Sequence, residues 1–309
     1  MNPVPQKVTI VEVGPRDGLQ NEPAAVPTAV KIELIDRLTA CGLPVIEATS
    51  FVRPDRVPQL ADAEAVYAGI HHRKGVAYPV LVPNLQGLER ALAAGVREVA
   101  VFTAASETFC RRNIDSSVDE SLDRFATVVS RAREAGVETR AYVSCVLGCP
   151  YEGPVPVAAV VGVARRLWSM GCREISLGDT IGAGTPLAAR ALVAAVADEV
   201  PLRALAVHFH DTRGQALAGI LACLELGVAT VDASVAGLGG CPYAPGATGN
   251  VATEDVIYML NGMGVETGVD LDALVDTGRF ISAALRRANE SRVGRASSGP
   301  SWRPRTSGQ

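Results

Sequence analysis

A short β-branched run, an Ala-rich amphipathic segment, a glycine, then another β-branched run: this order recurs along most of the chain. Strands are expected at residues 8–13, 45–48, 77–82, 98–102, 138–143, 174–177, 205–210 and 231–234. Helices are expected between them at 28–40, 85–94, 118–135, 155–170, 186–199 and 215–226. Several helical segments stop at a glycine just ahead of the next strand, at Gly42, Gly95, Gly136, Gly171 and Gly227. Glycine takes the left-handed conformation that closes a helix C-terminus without a steric penalty. Eight strands each followed by a helix is the count that closes a parallel (β/α)8 TIM barrel. An open doubly wound sheet would carry a Gly-rich fingerprint after an early strand. Val13-Gly14-Pro15-Arg16-Asp17-Gly18 does not fit it.

The 309 residues are 48% apolar and 20% charged, enough for a large core at ordinary surface charge. Barrels of this class run to about 250 residues as one domain, so residues 1–290 are expected to form a single catalytic barrel. Residues 291–309 are rich in Ser, Gly, Pro and Arg and are expected to be a disordered tail. The formal charge of −4 is spread along the chain and gives no concentrated basic surface for nucleic acid. No apolar stretch is long enough to span a membrane, and the strand-like start leaves no room for a leader. Seven thinly scattered cysteines read as reduced thiols. A cytoplasmic protein is the expectation, and a homodimer or higher homo-oligomer is common for such barrels.

A parallel barrel gathers its active site at the C-terminal ends of its strands. Reactive side chains fall at those ends here: Arg16, Asp17 and Gln20, then Glu47, Tyr142 and Ser144, then Asp179 and Thr180, and finally His208 and His210. Cys241 and Asn250 lie in the loops after the last strand. His208 and His210 carry the strongest signal. Two residues apart on a strand, they face the same side, so their imidazoles can converge on one ion. An isolated His-x-His pair would be a hydrogen-bonded structural pair about as often. Asp17 at a neighbouring strand end shifts the balance towards a mixed N/O metal site. Open positions on such a site suit Mg²⁺ or Mn²⁺, with Zn²⁺, Co²⁺ or Fe²⁺ as competitors. The other pair, His71-His72, reads as an exposed helix end. Cys145 and Cys149 have no second cysteine pair to make a zinc site and read as buried or incidental thiols. Cys241 differs, because Gly237, Gly239, Gly240 and Pro242 surround it. A hinged loop of that kind over a barrel mouth can bring an acid or base to the substrate.

The segments 11–22, 47–52, 176–182, 208–215 and 237–254 together resemble the hydroxymethylglutaryl-CoA lyase family, over nearly the whole chain from residue 8 to about 288. The Cys-bearing loop separates those lyases from related metal-dependent barrel synthases. The resemblance implies Asp17, His208, His210 and Asn250 as ligands of a divalent metal, Mg²⁺ or Mn²⁺. It implies Arg16 as the residue that binds substrate and stabilises an enolate, and Cys241 as the catalytic thiol. Glu47 and Asp179 match further acidic residues of the site, and Gln20, Tyr142, Ser144 and Thr180 are read as substrate contacts. Pro23, Phe209 and Arg213 depart from the pattern of the animal members and leave the 3-substituent of the substrate open.

The reaction expected is a retro-Claisen cleavage of an acyl-CoA, 3-hydroxy-3-methylglutaryl-CoA, into acetyl-CoA and acetoacetate, a step of leucine degradation or ketone-body metabolism. A metal acidifies the tertiary hydroxyl. Asp17 or a water or thiol relay takes its proton, Arg16 meets the charge on the thioester oxygen, and Cys241 relays a proton to the enolate. Arg16→Gln and Cys241→Ala are expected to be severe in turnover and nearly silent in folding. The alternatives are a lyase for a longer 3-substituted thioester, a Claisen-type synthase, which would not need Cys241, and a non-enzymatic metal-binding barrel.

Overall fold

The computed structural model describes residues 4–240 and 249–297. Its strands are β1 (Thr9–Glu12), β2 (Val45–Ile46), β3 (Thr49–Ser50), β4 (Val80–Leu81), β5 (Glu98–Ala104), β6 (Glu138–Ser144), β7 (Glu174–Asp179), β8 (Leu205–Phe209) and β9 (Thr230–Ala233). All pair in parallel, in the order β2-β1-β9-β8-β7-β6-β5-β4-β3. The two ends of that order are one stretch of chain. Glu47 and Ala48 interrupt the second barrel strand, so β2 pairs with β1 while β3 pairs with β4. Ladder bonds run on through the break, from Glu47 N to Glu12 O and from Ala48 N to Pro79 O. Nine segments therefore close an eight-stranded barrel, the (β/α)8 TIM architecture that the sequence rhythm predicts.

The helices are α1 (Thr28–Ala40), α2 (Ala63–Gly69), α3 (Leu85–Ala93), α4 (Glu107–Ile114), α5 (Val118–Glu134), α6 (Val157–Met170), α7 (Pro186–Ala197), α8 (Ala216–Leu224), α9 (Thr253–Gly262), α10 (Leu271–Leu285) and α11 (Arg292–Ala296). Val, Leu, Ile and Ala from the outward strand faces and inward helix faces form one continuous core between the two layers. At roughly 25 cal/mol per Å² of apolar surface buried, that layer is the main driving force for folding. The helix stops work as the sequence suggests. Gly171, at φ +101°, caps α6 by donating to the carbonyls of Leu167 and Trp168, a conformation that a side chain would strain. The interior of the barrel is different in kind. Inward-facing Arg140 and Asp232 are almost fully buried there beside a small apolar cluster of Leu81, Ala100 and Tyr142.

One boundary of the expected tail moves. Residues 291–297 are ordered: Ser291 caps α11, and Asp255 at the start of α9 accepts from Ser291 Oγ and from the backbone N–H groups of Arg292 and Val293. Arg292 pairs with Asp211 at 2.7 Å. The polar composition that suggested disorder instead supplies hydrogen bonds to two buried carboxylates. The remainder of the expected tail lies outside the described residues.

Candidate metal and acyl-thioester site

The chain leaves β1 through a single wide turn, in which Gly18 N donates to Val13 O at 3.1 Å and Asp17 N donates to the same oxygen at 2.8 Å. An i→i+5 turn of this kind is rare and is often found at functional sites. It places Arg16 and Asp17 side by side at the barrel mouth. A side chain at Gly14 would displace the buried Glu12 carboxylate that its N–H donates to, because a Cβ would lie 2.5 Å from Glu12 Oε1.

Arg16 is held in a carboxylate clamp. Its Nε donates to Glu47 Oε2 and its Nη1 to Asp17 Oδ1, both at 2.7 Å. Burial alone would lower the proton affinity of the guanidinium, but Glu47 and Asp17 reverse the sign and raise it. Burial raises the Glu47 carboxyl, opposed by Arg16. Asp17 is a quarter exposed and is lowered to about 2, since Arg16, His208 and His210 outweigh its desolvation.

Asp17, His208 and His210 form the metal-capable cluster of the described residues, with one ligand atom of each within 4.8 Å of the others. Asp17 Oδ2 lies 3.9 Å from His208 Nε2 and accepts from Asn250 Nδ2 at 2.8 Å. Burial, and then His208, lowers His210 to about 4, so at neutral pH its ring keeps a lone pair. Its Nδ1 is buried with no hydrogen-bond partner among the described residues. An ionised carboxylate and two imidazoles, one of them with an orphaned buried nitrogen, fit a divalent cation far better than they fit each other. The amide of Asn250 touches the same Asp17 oxygen, and a half-turn about its last torsion brings its carbonyl to that position.

Above the cluster opens a cavity of about 1160 Å³. Arg16, Asp17, His208 and His210 reach it, as do Gln20, Tyr142, Ser144 and Thr180. Two residues expected to contact substrate are set back from that wall. Glu47 is fully buried and reaches the cavity only through Arg16. Asp179 turns into its own loop, where it accepts from Ala183 N at 3.1 Å and Gly184 N at 2.8 Å. Each shapes a neighbour instead of touching the cavity. The clamp also corrects the expectation that Arg16→Gln would be silent in folding. Removing Arg16 strands a buried glutamate.

Cys241 lies outside the described residues. The loop that bears it does have defined ends. Gly240 lines the cavity, and Gly239, at φ +111°, approaches Gly249 so closely that a Cβ on Gly249 would fall 2.1 Å from Gly239 O. Both ends thus meet beside Asn250. Cys145 and Cys149 are buried in an apolar cluster with Cys110 and Phe109, and burial pushes the Cys145 thiol above its usual range. That agrees with the bland reading of both. His72 packs between Tyr67 and Tyr78, away from the cavity.

Sequence reasoning missed two parts of the site. Arg53, Arg56, Arg111, Arg112 and Arg124 all line the cavity, a basic rim assembled from three separate stretches of sequence. Beneath the cluster, Asp232 accepts from Arg140 and Ser176 Oγ, and its Oδ2 lies 3.2 Å from His208 Nδ1. The available signal was a charge at an inward position of otherwise apolar strands, Thr139-Arg140-Ala141 and Val231-Asp232-Ala233.

The family model HMGL-like matches residues 7–281. The chain belongs to the hydroxymethylglutaryl-CoA lyase family. It is 62% identical over 292 residues to the mitochondrial hydroxymethylglutaryl-CoA lyase of Gallus gallus, covering 94% of this chain and 98% of the relative. Among solved structures, the hydroxymethylglutaryl-CoA lyase of Pseudomonas aeruginosa superposes with a TM-score of 0.94 at 58% identity, over 96% of this chain and 98% of that one. An HMG-CoA lyase from Acinetobacter baumannii, in complex with coenzyme A and 3-methylmalate, matches with a TM-score of 0.92 at 36% identity, over 98% and 99% of the two chains. Among the described residues no helix is long and apolar enough to cross a membrane.

Proposed function

We propose that this chain cleaves 3-hydroxy-3-methylglutaryl-CoA to acetyl-CoA and acetoacetate with the help of one divalent cation, Mg²⁺ or Mn²⁺. The observation that carries the reading is the convergence of Asp17, His208 and His210 at the floor of a cavity whose wall includes Arg16. Asp17, His208 and His210, with Asn250 beside them, would hold the ion. When bound it supplies Lewis acidity to the tertiary hydroxyl and a neighbouring oxygen.

The remaining steps belong to side chains. The C3 hydroxyl loses its proton, the C2–C3 bond breaks, and its electron pair becomes the enolate of acetyl-CoA while C3 becomes the ketone of acetoacetate. Arg16 is pre-set by Glu47 and Asp17 to meet the negative charge growing on the thioester oxygen, so little reorganisation is needed at the moment of reaction. Asp17, at about 2, is a weak base, which favours a water or thiol relay for the first proton transfer. Cys241, one residue beyond the cavity-lining Gly240, then delivers a proton to the enolate carbon. The arginine rim matches the phosphates of a coenzyme A handle by charge. Six described cysteines are free, in keeping with a reducing, cytoplasmic location, and a role in leucine breakdown or ketone-body metabolism follows from the substrate.

Product analysis tests the reading. Metal-reconstituted protein given 3-hydroxy-3-methylglutaryl-CoA should yield acetyl-CoA and acetoacetate in equal amounts, and chelated protein should yield neither. Turnover confined to longer 3-substituted thioesters, or condensation of acetyl-CoA with a 2-oxo acid, would overturn the substrate assignment.

A further inference from the structure

His208 and His210 sit two residues apart and face the same cluster, yet they are held very differently. His208 Nδ1 lies 3.2 Å from Asp232 Oδ2, and its Nε2 looks towards Asp17. His210 Nδ1 has no hydrogen-bond partner among the described residues. The difference originates in strand register. On β9, Asp232 is the parallel partner of His208 on β8, so both side chains project from the same face of the sheet into the barrel.

Asp232 is itself fixed. Arg140 donates Nη2 to its Oδ1 at 2.5 Å and Nη1 to its Oδ2 at 3.1 Å, and Ser176 Oγ donates to Oδ2 at 2.8 Å. Arg140 is anchored in turn by Glu174 at 2.5 Å and by the Tyr142 hydroxyl at 2.8 Å. Five inward side chains from β6, β7 and β9 thus form one hydrogen-bonded chain that ends on a single imidazole nitrogen, that of His208 on β8. A group buried this deeply has no route to solvent or substrate, so its chemistry can be expressed only through His208.

We propose that Asp232 is the positioning residue of the ion site: it accepts a hydrogen bond from the Nδ1–H of His208 and so fixes the tautomer that presents the Nε2 lone pair to the cation. A buried carboxylate behind a ligating histidine fixes ring orientation and raises ligand basicity, and losing such a partner costs on the order of 10–100-fold in metal affinity. His210, lacking an equivalent brace, is the adaptable ligand of the pair. The inference rests on the ion site described under Proposed function, and the test separates the two.

The chain has four histidines, few enough for each ring to be resolved in a long-range ¹⁵N–¹H correlation spectrum of ¹⁵N-histidine-labelled, metal-free protein. His208→Gln assigns the peak. The expected result is a single Nδ1–H tautomer for His208 before any ion is added; an Nε2–H tautomer or an exchanging mixture would overturn the proposal. The same preparation is titrated with Mn²⁺. Failure of the unmodified chain to bind the ion would defeat the site assignment while leaving the tautomer result to judge Asp232. As a second arm, Asp232→Leu combined with Arg140→Met replaces the buried ion pair by apolar groups of similar volume, an exchange that is often neutral for stability. The Mn²⁺ Kd of this double variant should rise on the order of 10–100-fold while the melting temperature of its metal-free form stays near that of the unmodified chain. An unchanged Kd in a folded double variant would also overturn the proposal, and if that variant does not fold, the tautomer measured on the unmodified chain decides.

Discussion

Arg16→Gln is expected to damage the protein twice, and the two effects can be separated. Arg16 is 6% exposed and holds Glu47, which is 0% exposed and already has one oxygen without a hydrogen bond. Removing one member of a buried pair costs about 3–5 kcal/mol when the other remains charged. That is a large share of the roughly 5–15 kcal/mol that keeps a typical domain folded. Loss of one preorganised donor to a developing oxyanion costs a further factor on the order of 10²–10³ in turnover. The stability loss should depend on pH with a definite sign. Without Arg16, desolvation holds the Glu47 carboxyl further above its ordinary range. A group whose folded pKa is raised contributes stability that is present at low pH and lost as pH rises through the folded value. Urea unfolding at several pH values should therefore show the deficit shrinking towards acid, relative to the unmodified chain. The double variant Arg16→Gln with Glu47→Gln removes both charges and should recover stability without recovering turnover. A single variant as stable as the parent at neutral pH, or a double variant no more stable than the single, would refute the clamp argument.

Three further predictions follow from the same geometry. Mn²⁺ added to metal-stripped protein should raise the melting temperature, by mass action of about 2.7 kcal/mol at one hundred times Kd, and His210→Ala should abolish most of that rise in a calorimetric scan. Cys241→Ala should lower turnover on the order of 10²–10³ with KM and thermal stability little changed, and steady-state kinetics beside circular dichroism would expose an error if KM moved instead. Glu254 is fully buried and pushed up to about 8 by desolvation, with Ala236 N–H opposing and the Glu12 charge adding. Its contribution to stability is accordingly complete below pH 4.5 and lost as pH rises towards 8. Each tenfold change in proton affinity is worth about 1.4 kcal/mol, and Glu254→Gln should flatten that part of the stability–pH curve.

The barrel was legible because its signals are local and repeated. Runs such as 98–102 alternate with amphipathic helices such as 118–134, and glycines such as Gly171 end them at the same point of each unit. The break at Glu47-Ala48 was not legible. There Glu47 turns in to meet Arg16 at the end of the neighbouring strand β1, a contact between residues 31 positions apart. At the site, residues flanking strand ends were found because the fold itself gathers them: Asp17, His208 and His210 converge as expected. Asp232 and Arg140 escaped because a charge in the middle of a short strand looks unfavourable until its partner, 92 positions away, is known. Glu47 and Asp179 were read as substrate contacts because acidic residues at strand ends usually face the mouth. Here their carboxylates are drawn to a guanidinium and to backbone N–H groups, respectively. The tail was misjudged up to residue 297 for a related reason, since its order depends on Asp255 and Asp211, which no local composition reveals.

The most direct test of the central claim is a stoichiometric titration of metal-stripped protein with Mn²⁺, following thioester cleavage and the electron spin-echo signal of the ion together. The account predicts cleavage that rises linearly to one ion per chain, with hyperfine coupling to two imidazole nitrogens that falls to one in His210→Ala. Full turnover in the stripped protein, or activation by an ion that shows no coupling to imidazole nitrogen, would contradict it.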